Sequence, residues 1–248
     1  MALRTKQRNS PIRQIVHLVF LLLSLVLGGC VTQQKVYEGP AQPSDFPEQF
    51  YLEVASDPQK SIYKIDSDLS QIVLRVYRGG AMARLGHDHV VSSQNVQGYI
   101  ALNKESGQCH ADFFAPLSML IVDDPQLRIA AELDTTPSPS DIAGTKNNML
   151  ISLEAANFPF VQLASKDCSG VLSGTETTVV LTLHGVSQQR NLQINLQSID
   201  DNQLLISGEF SIKQTDFGIE PFSIMSGLIK VEDKVDLTYQ LTAQRITP

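Results

Sequence analysis

Histidine and cysteine are scarce in this chain, with five of the first and three of the second among 248 residues. A zinc site draws three or four ligands mostly from these two types, so a metal centre would consume most of the supply. The glycine-rich signatures of nucleotide binding, GxGxxG and the P-loop, are absent. So is the G-x-S-x-G elbow of serine hydrolases, and no segment repeats at a fixed period. Basic residues are outnumbered, 19 Lys and Arg against 26 Asp and Glu. Nucleic-acid binding needs clustered positive charge, so that class is excluded. The longest apolar run, IVHLVFLLLSLVL from Ile15 to Leu27, falls short of the roughly 20 residues of a membrane-spanning helix.

What is present begins with an export signal. Arg4, Lys6, Arg8 and Arg13 form a basic region ahead of that apolar run. Leu27-Gly28-Gly29-Cys30 follows directly and resembles the bacterial lipobox, whose cysteine is acylated and becomes the new N-terminus. Residues 1–29 are read as a lipoprotein signal peptide and Cys30 as the lipidation site. Two or three acyl chains anchor a protein stably where one gives only marginal binding. Val31, in place of aspartate, stands second in the mature chain; likeness to enterobacterial lipoproteins then favours the outer membrane, on the periplasmic side of the cell envelope. Removing the four basic residues takes the formal net charge from -7 to -11.

Residues 30–60, rich in Gln and Pro, read as a tether, and residues 61–248 as one domain. IYKID and QIVLRVYRG suggest strand, turn, strand, with Ile72, Leu74 and Val76 on one face. NVQGYIAL and CHADFFAPLSMLIV continue the β pattern. Between Asp124 and Asn157, Pro near helix starts and wider apolar spacing predict two short helices. FVQLASKDC, TTVVLTLHG, QRNLQINLQ, LLISGEFSIKQ and KVDLTYQLTAQ then alternate apolar and polar residues between turns. The expected fold is mainly β: an extended, lipocalin-like, eight-stranded antiparallel barrel with a short helical insertion. Closure removes the sheet edges and leaves room for one small ligand.

Particular strings carry a resemblance. LTLHGVSQQRNLQINL, GEFSIKQTDFGI and KVDLTYQL are similar to the C-terminal half of the YceI-like family of periplasmic polyisoprenoid-binding proteins. YKIDSDLSQIVLRV and KNNMLISLEAANFPFVQLASKDC resemble its first half. The resemblance implies a barrel whose apolar interior holds a long isoprenoid or similar amphiphilic lipid, and no catalytic residues. Partners are then a long-chain lipid and, through the anchor, a membrane. The chain departs from the common family pattern in having GHDH at Gly86 to His89.

The apolar positions Phe113, Phe114, Leu183, Phe210, Ile212 and Phe222, on strands or beside the FGI turn, are the candidate lipid-binding wall. His87 and His89, two residues apart in an apparent strand, would face the same way, and copper or zinc would suit imidazole ligands; a metal-binding envelope protein is the alternative function. His184, in the HGV turn, is most simply a ring bonded to nearby backbone, and His110 could face either side. Asp123, Asp124 and Asp141 fall at helix starts, where carboxylates satisfy free backbone N–H groups. Cys109 opens CHADFFAP and Cys168 closes FVQLASKDC. If those strands pair antiparallel the two meet as a disulfide; the alternative is two free thiols.

Overall fold

The computed structural model describes residues 41–103, 105–172 and 174–246. The expected signal peptide, Cys30 and the first part of the expected tether lie outside the described residues. Folded structure begins before residue 61. Helix α1 (Glu48–Val54) packs against the sheet and buries Tyr51 completely. The Gln- and Pro-rich composition around it concealed this short helix.

Twelve strands follow among the described residues. They are β1 (Lys60–Gly79), β2 (His89–Ser93), β3 (Gln97–Asn103), β4 (Cys109–Pro116), β5 (Ile121–Val122), β6 (Phe160–Ser165), β7 (Glu176–Leu183), β8 (Val186–Gln193), β9 (Asn195–Asp200), β10 (Gln203–Lys213), β11 (Ser223–Ile224) and β12 (Ile229–Ile246). All pairings are antiparallel, and the sheet runs β8-β7-β6-β4-β3-β1-β12-β10-β9, with β2, β5 and β11 as side pairings. The two ends of that path are one stretch of chain, because only Ile194 separates β8 from β9. The curled sheet is therefore joined end to end through the backbone. Counted as one bent strand, β8 and β9 make the path eight-stranded. No ladder joins β8 to β10 among the described residues; side chains bridge that seam, with Gln188 donating to the Asp216 carbonyl at 2.7 Å and Arg190 paired with the Asp216 carboxylate.

The first expected turn is a bulge instead. Asp66 pairs with Thr242 and Gln71 with Gln240, so β1 carries three more residues than β12 between those points. Ser70 mends the ladder: its hydroxyl donates to the Asp66 carbonyl at 2.7 Å and accepts from the Thr242 amide at 3.0 Å. A buried amide left unpaired would be costly, and the serine removes that cost. Across the bulge β1 changes partner from β3 to β2, so one strand walls both ends of the barrel.

The two insertion helices are α2 (Pro125–Ala130) and α3 (Pro139–Ser152), each with proline in its first turn. Asp124 caps α2, and Ser138 with Asp141 forms a reciprocal capping box on α3. Asp123 does neither. It is buried, with a positive φ of 56°, and turns into an ion-pair network. Pairing of β4 with β6 brings Cys109 and Cys168 to a Cα separation of 4.7 Å, and they are joined by a disulfide.

Candidate functional site

Alternation along the strands gives the sheet an apolar inner face. Ile72, Leu74 and Val76 from β1, Ile206, Phe210 and Ile212 from β10, and Val235, Leu237 and Leu241 from β12 surround a cavity of about 330 Å³, within the range of small-ligand sites. Two hydrophobic clusters build it. One holds Ile65, Ile100, Ile206 and Leu241, and the other Val91, Leu181, Leu183, Ile212 and Val235 with Met149 and Leu153 of α3 packed against it.

All six wall residues expected from the sequence border this cavity. Leu183, Phe210 and Ile212 do so from strands, Ile212 and Leu183 being buried and Phe210 meeting Tyr239 edge-on at 6.2 Å. Phe114 serves two sides, since its ring also packs edge-on against Phe46 at 4.7 Å and Phe160 at 5.5 Å. Phe222 is 37% exposed and stands outside regular strand. The helix contribution was missed: Thr145, Asn148, Met149 and Ser152 of α3, and Leu153 at its C-cap, also line the cavity. Spacings of three and four residues, all on one helix face, were the available signal.

No Lys, Arg, Asp or Glu borders the cavity among the described residues. Its polar lining is His89, Ser93, Thr145, Asn148, Ser152, Gln162, Gln214 and Tyr239. Burial pushes the Tyr239 phenol up to about 12.

His89 is held from behind. Its Nδ1 lies 2.6 Å from Asp123 Oδ2, while Asp123 Oδ1 accepts from Arg128 Nη1 at 2.5 Å and from the Val90 amide at 3.2 Å. Arg128 also donates to the carbonyls of Asp88 and Thr135 at 2.8 and 2.7 Å. Burial alone would raise the Asp123 carboxyl, but the bond and charge of His89 and the bond from Arg128 hold it below its ordinary value of 3.8. His87 precedes β2 and is not on it. The two rings stand 6.2 Å apart, and His87 Nδ1 is buried without a hydrogen-bond partner. Among the described residues no three of His, Cys, Asp and Glu gather as metal ligands.

The other two histidines lie apart from the pair. His110 Nε2 is 2.9 Å from Asp112, the carboxylate that also accepts from Tyr51 of α1 at 2.6 Å. His184, at φ 54°, is 3.1 Å through Nδ1 from the Phe217 carbonyl.

Comparison with known proteins bears on this architecture. The profile of the YceI-like domain matches residues 63–243. The chain belongs to the YceI-like family. Two solved structures share the fold at low identity. One is described as a polyisoprenoid binding domain from Saccharophagus degradans implicated in plant cell wall breakdown: 14% identity, TM-score 0.52, 74% of this chain covered and 98% of that one. The other is BcnA of Burkholderia cenocepacia: 12% identity, TM-score 0.51, 73% and 99% covered. No curated protein sequence matches. Within this YceI-like domain the strings that carry the resemblance meet in space. His184 of LTLHGV bonds to Phe217 of the DFGI turn, and Phe158 of the Phe-Pro step packs on the His184 ring at 5.3 Å. Gly185, at φ 71°, leaves room there, since a Cβ would lie 2.5 Å from the Phe158 ring. These motifs are an architectural joint at one end of the barrel.

Proposed function

We propose that this YceI-like chain is a non-catalytic lipid-binding protein of the cell envelope, which holds a polyisoprenoid or similar amphiphilic lipid in its barrel and is tethered to the membrane through acylated Cys30. The observation that carries the reading is the apolar cavity of about 330 Å³ with no charged residue in its described lining. Such a wall rewards hydrocarbon and little else. Each buried methylene contributes about 0.8 kcal/mol, so about ten give roughly 8 kcal/mol before the costs of association are subtracted. The polyisoprenoid named for the Saccharophagus domain supports the choice of lipid.

Native mass spectrometry of gently purified protein, with uptake of a labelled isoprenoid, tests the carrier role; an empty barrel that takes up no label removes it. For the anchor, Cys30→Ser should move the protein from the membrane to the soluble fraction, and unchanged partition would refute lipidation. The second reading, copper or zinc on His87 and His89, draws on their 6.2 Å ring spacing. Equal metal content in the wild type and a double His→Ala variant would dismiss it.

A further inference from the structure

The cavity is apolar along most of its wall and polar at one place. Asp141, Thr145, Asn148 and Ser152 recur at intervals of four, three and four residues and so share one face of α3. Asp141 feels the charge of His87, which sets this face beside the histidine pair, and α3 packs on β5, the neighbour of β2. The side chains of Thr145, Asn148 and Ser152 border the cavity and make no hydrogen bond among the described residues. His89 borders it too, with Nδ1 engaged by Asp123 and Nε2 without a partner.

We infer that this corner receives the head group of the bound lipid, and that the head is an uncharged hydroxyl in preference to a diphosphate. The inference rests on the lipid-binding reading and adds the chemistry of the head. Asp123 accepts from Nδ1 of His89, so that nitrogen carries a proton and Nε2 is left to bond a ligand in the cavity. Arg128 already balances Asp123, with Nη1 on Asp123 and the Asp88 carbonyl and Nη2 on Thr135, and its side chain does not border the cavity. Among the described residues no Lys or Arg borders the cavity to meet a diphosphate, whose desolvation inside an apolar barrel would go largely uncompensated. A hydroxyl, which both donates and accepts, instead bonds to His89 Nε2 and to Thr145 or Asn148. Asp123 and Arg128 are positioning residues in this scheme, fixing ring and tautomer together.

Three probes of one chain length decide it: farnesol, farnesyl methyl ether and farnesyl diphosphate, titrated into the full chain by displacement of a fluorescent fatty acid. The alcohol should bind roughly tenfold tighter than the ether, which cannot donate, and tighter than the diphosphate. His89→Leu should bring the affinities for alcohol and ether together. Asn148→Leu, which touches none of the Asp123 network, should weaken the alcohol several-fold and covers the case in which His89→Leu fails to fold. Equal binding of alcohol and ether by the wild type, or a diphosphate that binds as tightly as the alcohol, overturns the head-group assignment and leaves lipid binding standing. If none of the three binds, lipid carriage itself fails.

Discussion

Replacing Asp123 with asparagine preserves the side chain's shape and removes its charge, so Arg128 would stay buried without a counter-ion. The two are 1% and 6% exposed. Breaking a buried ion pair from one side costs roughly 3–5 kcal/mol. Arg128 keeps the carbonyls of Asp88 and Thr135, which places the expected loss near the lower end, at about 3 kcal/mol. For a domain of this size that lowers the melting temperature by roughly 6–12 °C. Urea denaturation followed by circular dichroism measures it directly. The double variant Asp123→Asn with Arg128→Met should lose at least ~1 kcal/mol less than the sum of its singles, because the orphaned charge is gone. Asp123 is held below its ordinary value of 3.8, so it stabilises the fold above that pH, and the contribution is lost as pH falls through the lowered folded value. The gap between wild type and Asp123→Asn should therefore be full at neutral pH and narrow only in acid below about 4. A loss under 1 kcal/mol at neutral pH, or strict additivity of the double variant, would refute the role assigned to this pair.

Removing the disulfide by Cys109→Ser with Cys168→Ser frees a loop of 59 residues and should cost about 4 kcal/mol in the chain-entropy model, read as a lower urea midpoint; an unchanged midpoint contradicts it. Leu237→Trp, at a half-buried cavity position, should fill the space and cut isoprenoid uptake at least ~tenfold with a native circular dichroism spectrum; undiminished uptake would place the lipid elsewhere. Tyr51→Phe deletes the hydroxyl that donates to Asp112 at 2.6 Å and should destabilise by roughly 1.5–3 kcal/mol, since the acceptor is charged; a neutral result would mean that α1 docks by apolar contact alone.

Strand faces were legible because alternation reports burial directly: Ile72, Leu74 and Val76 fall on the cavity side as their spacing requires. Helix starts were legible for the same local reason at Asp124 and Asp141, which cap α2 and complete the capping box of α3. Asp123 was not, because its partners His89 and Arg128 are 34 and 5 residues away along the chain and only the turn between β5 and α2 aims it inward. The bulge at Ser67–Ser70 read as a turn since DSDLS has turn composition, and nothing local reveals that Thr242 fills the gap. The polar face of α3 escaped notice because Thr, Asn and Ser on a helix usually mean solvent, and here the barrel supplies a cavity instead.

The partner exchange along β1 bears on how this molecule comes apart. β1 and β12 stay paired from Ile62–Ile246 to Gly79–Lys230, and both hydrophobic clusters draw on them: Tyr63, Ile65, Leu241 and Ala243 on one side of the bulge, Leu74, Val76, Val235 and Leu237 on the other. Neither cluster can lose its wall unless the same two strands separate. The ends of the barrel are thus coupled through one strand pair, and amides of β1 and β12 on the two sides of the bulge should exchange with solvent with similar protection.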